Sequence, residues 1–381
     1  MKRSLLLLLV FHSLRAYANS PQQEKLTEYL SALVSMPTET ANQEENAKAL
    51  RWVENELSTL GLYFKHETFG GHPTLIVTTK KTMTPDLFLV AHMDVVPGLP
   101  SLYQPRIEGG KMYGRGVYDM KMAIACYVLL FQELKDRLPQ LNIGLMLTSD
   151  EEIGGMNGVK RLLEAGYSSK VAFLPDGGFG WNFEESAKGV LQVKIAAKGL
   201  AAHSSRPWLG KNAIESLMKA LRKVEGHFKK EKIHYGTYFP TVNIGTIGGG
   251  KSANQVPDYA EATLDIRYPP EMEGHAIYTA LVQLLRKDPN ISVAIIAEGS
   301  PYQANLQLGP FMKFQEIAKK QYEIKTGTMR SYGASDARFF GEKNIPVLVI
   351  APQGGDIHSD EEWIDLEDLT RFYNVLRQWI Y

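Results

Sequence analysis

The stretch Leu87–Gly98, LFLVAHMDVVPG, limits what this chain can fold into more than any other, because an apolar run breaks abruptly on two polar residues, His92 and Asp94. Bounded upstream by Pro85 and Asp86, Leu87 to Val90 reads as a buried strand. Side chains two apart on a strand share a face, so His92 and Asp94 are expected on one side of the backbone. That pairing suits an imidazole that binds a metal through one nitrogen and needs an acceptor for the other N–H. It equally suits a His–Asp pair capping a strand at the surface.

The same event recurs along the chain. Gly114-Arg115-Gly116-Val117-Tyr118-Asp119-Met120-Lys121 delivers Asp119 just before an apolar helix over Met122–Leu134, and its glycines lack the GxGxxG spacing of a phosphate cradle. Leu141–Thr148 reads as a strand that runs into Ser149-Asp150-Glu151-Glu152-Ile153-Gly154-Gly155. Val171–Leu174 ends in Pro175-Asp176-Gly177-Gly178, and the strand Val347–Ala351 is followed by Gly354-Gly355-Asp356-Ile357-His358-Ser359. Adjacent carboxylates at buried strand ends repel one another unless a cation joins them, and strand ends of α/β sheets are where ligands collect.

Helical spacing over Gln23–Ser35 and Glu44–Leu60, then strands at Leu62–Glu67 and Thr74–Thr79, argue for an α/β domain with a mixed, mostly parallel sheet. From Ser186 the pattern changes. Strand Gly189–Ala197, helix Asn212–Phe228, strands Val242–Gly248 and Ala260–Tyr268, helix Glu273–Leu285 and strand Ile291–Ala297 follow the β-α-β-β-α-β order of a ferredoxin-like α+β unit. The expected organisation is therefore a first domain in two pieces, 19–185 and 298–381, interrupted by an inserted lid or dimerisation domain over 186–297.

The 381 residues are too many for one ordinary core, and equal numbers of acidic and basic residues give no footprint for nucleic acid. At the N-terminus Lys2 and Arg3 precede the apolar run Leu5–Phe11, and Ala16-Tyr17-Ala18 has the small-x-small form of a signal-peptidase site. This predicts a leader over 1–18 and export to the periplasm or beyond, with no integral membrane segment after its removal; an uncleaved anchor is the alternative. The single cysteine, Cys126, lies in the apolar segment Met122–Phe131 and reads as a core thiol.

Two histidines and several carboxylates without cysteine form a nitrogen–oxygen donor set for Zn²⁺, Co²⁺ or Mn²⁺. One carboxylate can bridge two ions, and a further carboxylate can move a proton between water and a leaving amine. His92-Met93-Asp94, Gly114-Arg115-Gly116 to Asp119, Glu151-Glu152, Asp176 and His358, in this order, resemble the M20 family of zinc metallopeptidases and amidohydrolases. The likeness spans nearly the whole mature chain, with Asn254-Gln255-Val256-Pro257-Asp258 and Asp265-Ile266-Arg267 of the insert included. It departs from many relatives at Met122, where they carry a glycine or other small residue.

The resemblance implies that Asp119 bridges two divalent ions, most simply zinc, with His92 and Asp176 on one and Glu152 and His358 on the other. It implies Glu151 as general base, Asp94 as orienter of His92, and His203 as the oxyanion stabiliser, often across a dimer. Asn254, Arg267 and the backbone at Gly333 match positions that grip a substrate carboxylate. Asp at position 176 resembles peptidase and dipeptidase members more than desuccinylases. The expected activity is hydrolysis of a short peptide with a free carboxylate. The alternatives are an N-acyl-amino-acid deacylase and a non-catalytic exported solute-binding protein.

Overall fold

In the computed structural model, which describes residues 20–381, the apolar side chains sort into two separate cores, a large one and a smaller one formed entirely between Leu191 and Leu285. The expected leader lies outside the described residues.

The large core is built on a six-stranded sheet. Its spatial order is Tyr63–Phe69, His72–Thr78, Ile143–Thr148, Leu87–His92, Val171–Phe173 and Val347–Leu348. The first two strands join antiparallel and the second meets Ile143–Thr148 antiparallel, while the remaining three pairings are parallel. This is the mixed, mostly parallel sheet expected. Leu87–His92 lies inside it, in register with Ile143–Thr148 from Leu87 opposite Ile143 to His92 opposite Thr148. That register matters functionally, because it brings the polar ends of both strands to one edge.

Helix Lys121–Glu133 is apolar along its length and every residue from Lys121 to Phe131 is buried. Such a helix needs cover on all sides, and it packs on Leu87–His92 and against helices Pro21–Val34, Gln43–Leu57 and Leu366–Ile380. Its first residue, Lys121, is fully buried and donates from Nζ to the carbonyls of Leu33 (3.0 Å) and Met36 (2.8 Å). The Leu33 carbonyl is in the last turn of the first helix and Met36 lies just beyond it, so the cation is partnered where the helix dipole favours it. Cys126 lies in this helix, buried among apolar neighbours that push its thiol far above the ordinary range.

The smaller core belongs to an antiparallel sheet ordered Thr241–Gly249, Tyr259–Tyr268, Gly189–Lys198, Ile291–Gly299. With strands numbered by sequence this is 2-3-1-4, the ferredoxin-like arrangement. Leu191, Val193, Ile195 and Ala197 point inward onto helices Ala213–Tyr235 and Gly274–Leu285. The first of these helices runs seven residues beyond the Phe228 at which apolar periodicity stops. Helix-forming lysines and a glutamate carry it through solvent until Gly236, at φ 64°, ends it.

Where the chain leaves strand Val171–Phe173, Gly178 turns it at φ +64°, and a β-carbon there would sit 2.3 Å from the Asn182 carbonyl oxygen and 2.7 Å from Ile350 Cα. Both obstacles are backbone and cannot rotate away. Gly178→Ala is expected to destabilise the protein by about 2–4 kcal/mol through strain and overpacking. Urea unfolding followed by circular dichroism measures this, and an unchanged midpoint would mean the turn is not confined.

Candidate metal centre

His92, Glu151 and Asp176 follow three strands of the large sheet whose parallel pairings gather them at one edge, and His358 joins them from the loop between Gly354–Gly355 and Trp363–Asp365. Asp119 arrives from the loop before helix Lys121–Glu133. His92 Nε2 lies 3.0 Å from Asp119 Oδ1, and His358 Nε2 lies 3.2 Å from Asp119 Oδ2 and 3.0 Å from Glu152 Oε2. The two oxygens of one carboxylate therefore face two different imidazoles. His92, Glu151 and Asp176 each offer a ligand atom within 4.8 Å of the others, as do His92, Asp119 and Glu152.

Electrostatics at this edge tests whether cations belong there. Burial, then the Asp119 charge, pushes Asp176 up to about 7, and burial with Asp176 drives Glu151 well above the carboxylate range. The Asp176 Oδ2 atom is buried with no hydrogen-bond partner. Burial opposes ionisation of Asp119, yet the imidazoles of His358 and His92 outweigh it and hold Asp119 below its usual range. His358 is raised to about 10 by its hydrogen bonds to Asp119 and Glu152. A set of carboxylates that repel one another, with one oxygen left bare, fits divalent cations as its counter-charge. The residues suited to hold them are His92, Asp119, Glu152, Asp176 and His358, with Glu151 also within reach.

Asp94 departs in part from the sequence expectation. His92 Nδ1 lies 2.9 Å from the main-chain carbonyl of Asp94 and 3.6 Å from its carboxylate, so the nearer acceptor for the imidazole is backbone. The fully buried carboxylate instead accepts from the N–H groups of Glu151 (3.2 Å) and Glu152 (3.2 Å) and from the Thr40 hydroxyl (2.9 Å). It orients the loop that carries the two glutamates. Arg338 holds that loop from the other side, donating to the Gly154 carbonyl at 2.6 Å. Neither Thr40 nor Arg338 has a sequence signal, since their partners lie far away in the chain.

The insert's residues stand apart from this cluster. His203 is exposed, its Nδ1 at 2.8 Å from the Ser205 hydroxyl, and it bridges to Gln255 in an isolated β pairing. Exposed Asn254 accepts from the Ser252 hydroxyl at 2.5 Å. Arg267 is held by Asp265 through two bonds, at 2.7 and 3.3 Å. Gly333, exposed, donates its N–H to Ser331 Oγ at 3.2 Å. Among the described residues no hydrogen bond or ion pair joins any of these four to the histidine–carboxylate cluster.

A histidine–carboxylate cluster at the edge of an α/β sheet is a donor set that could hold metal ions. Residues 88–381 match the model of peptidase family M20/M25/M40. A probable carboxypeptidase of Aspergillus clavatus is 33% identical over 321 residues, covering 77% of this chain and 74% of that one. A succinyl-diaminopimelate desuccinylase of Corynebacterium glutamicum is 26% identical over 363 residues, 91% of this chain and 94% of its own. In fold, the chain is similar to a tripeptidase from Staphylococcus aureus (TM-score 0.77, 21% identity, 94% and 97% coverage). It is also similar to an M20 family metallo-carboxypeptidase from Sulfolobus solfataricus (TM-score 0.75, 19% identity, 93% and 98% coverage). The chain belongs to peptidase family M20/M25/M40 and is a metal-dependent hydrolase of amide bonds, which sets aside the solute-binding alternative.

Because Asp94 fixes the backbone of both glutamates, Asp94→Asn, which turns an N–H toward an N–H, is expected to lower kcat/KM about 10–100-fold. Steady-state kinetics on any turned-over peptide checks it; wild-type kinetics would remove Asp94 from the machinery.

Proposed function

We propose that the protein is an exported two-metal exopeptidase that cleaves short peptides carrying a free carboxylate. The observation that carries the two-ion part is the division of Asp119, one oxygen toward His92 and the other toward His358. On this reading His92 and Asp176 hold one ion, Glu152 and His358 the other, and Asp119 both. Divalent cations there supply Lewis acidity toward a carbonyl oxygen and make a water acidic enough to attack near neutral pH.

The chain's own groups then do the rest. Glu151, whose carboxylate lies beside His92 and Asp176, is placed to accept a proton from water and return it to the leaving amine. Asp94 keeps Glu151 in place through its N–H. Arg267, whose fork is already engaged with Asp265, can offer it to a substrate carboxylate. His203 reaches the oxyanion when the domains close, from the same chain or from a partner. Support for a homodimer comes from the insert's edge strand Thr241–Gly249, which is largely exposed and carries Ile247 outward. Export rests on Lys2, Arg3, the run Leu5–Phe11 and the Ala16-Tyr17-Ala18 site. Removal of an N-acyl group is the second reading, favoured by the relatives named desuccinylase, which align over most of the chain.

Dipeptides, tripeptides, N-acetyl and N-succinyl amino acids assayed side by side separate the two readings by which amide is cut. Glu151→Gln is expected to keep its metal while turnover falls about 10²–10⁴-fold. Loss of metal by Glu151→Gln, measured by elemental analysis, would make Glu151 a ligand rather than the base. Removing metal with a chelator is expected to abolish turnover and lower Tm, since a cation bound at about 100 times its Kd stabilises the folded chain by about 2.7 kcal/mol. An unchanged Tm and activity after complete chelation would rule out the metal centre.

A further inference from the structure

The loop that presents Asp119 is organised around a side chain that is not itself a candidate ligand. Glu362, buried to 2% exposure, accepts at Oε1 from the N–H groups of Tyr118 and Asp119, both at 3.0 Å. At Oε2 it accepts from the Gly116 N–H (3.0 Å) and from Arg115 Nη1 (3.2 Å). A carboxylate has about four acceptor sites, so this one is saturated, and all four donors belong to the segment 115–119.

Arg115 carries the connection onward. Its guanidinium, 3% exposed, also donates to the carbonyls of Ser359 (3.0 Å) and His358 (3.4 Å). His358 needs such a hold. It lies at φ 64° and Asp356 at φ 54°, in the left-handed region that is strained for a non-glycine residue. A continuous path of hydrogen bonds thus runs from the Asp119 N–H through Glu362 and Arg115 to the His358 carbonyl.

We propose that Glu362 and Arg115 are a positioning pair that sets the spacing of Asp119 and His358, and with it the affinity for the cation those two residues share. The inference rests on the metal reading above. The pair never touches the cation; it acts through the backbone of the two residues that do. Truncating it frees both loops, and the half-exposed His358 side chain is then left with its Nε2 contacts to Asp119 and Glu152.

The test is a Co²⁺ titration, by equilibrium dialysis, of the full-length chain freed of metal by a chelator. Glu362→Gln is expected to bind Co²⁺ about 10–100-fold more weakly and to regain turnover in excess metal with an unchanged KM. Arg115→Lys keeps the charge beside Glu362 but not the fork to Ser359 and His358. It is expected to fold and to weaken Co²⁺ in the same direction, which keeps the proposal testable where Glu362→Gln fails to fold. Asp368→Asn is the control. Asp368 is a buried carboxylate that accepts from Trp181 Nε1 and the Gln353 N–H and contacts no ligand, so its loss should lower Tm without altering Co²⁺ affinity. Variants of Glu362 and Arg115 that fall in Tm like Asp368→Asn yet bind Co²⁺ as wild type does would overturn the proposal alone. A wild-type chain that takes up no Co²⁺ would overturn the metal reading and the proposal together.

Discussion

Everything at the functional edge of this protein depends on like charges held closer than water would allow. Asp119, Glu151, Glu152 and Asp176 converge on two imidazoles, and burial denies the carboxylates the solvent that would otherwise screen them. Such an arrangement costs folding free energy unless counter-charge is present. The fold meets part of that cost with the histidines, which hold Asp119 ionised, and leaves the rest to a cation. The strain is placed where the sheet can bear it. The rigid strands Leu87–His92 and Ile143–Thr148 end at this edge in register, so His92, Glu151 and Glu152 are delivered by elements whose own position is fixed by an apolar core.

The support for those ligands is backbone-directed. Asp94 and Glu362 are both buried carboxylates, and both spend their acceptors on successive N–H groups of a loop that carries ligands. N–H groups in a tight turn have no partners within the turn itself, so a carboxylate aimed into it satisfies them and fixes the turn at once. The two devices hold different loops, one with Glu151 and Glu152 and the other with Asp119. Their common logic is that the charge facing the site and the charge supporting the site are separated by one peptide unit.

Much of this was legible in the sequence, because a break from apolar run to carboxylate or histidine is a one-dimensional signal of a buried strand ending at a ligand. His92, Glu151, Asp176 and His358 announce themselves that way, and the mixed sheet and the ferredoxin-like insert follow from periodicity. The supports were not legible. Glu362 looks like the second of two ordinary glutamates in Ser359-Asp360-Glu361-Glu362, and only the fold brings it to Gly116, Tyr118 and Asp119. For Asp94 the period-two rule found the right neighbour for His92 but the wrong atom. The strand ends at His92, the backbone turns, and the carbonyl swings toward the imidazole while the carboxylate turns to the glutamate loop.

The insert stands apart from the metal edge in its packing. Its core is its own, so the two bodies can change their relation without unpacking either. His203, Asn254 and Arg267 are therefore carried as a group on a frame that is rigid in itself. Arg267 is pre-oriented by Asp265, in an ion pair about one-third exposed on the arginine side. On the proposed reading, exchanging a partly solvated pair of this kind for a substrate carboxylate costs little, because such pairs contribute roughly 0–1 kcal/mol. On the proposed reading, holding Arg267 against Asp265 limits the rotamers its fork can adopt before a substrate arrives. In the proposed reading the metal edge supplies the chemistry and the insert supplies the choice of substrate. That division follows from the cores: the edge needs a rigid sheet behind it, and selection needs a body that can approach and retreat.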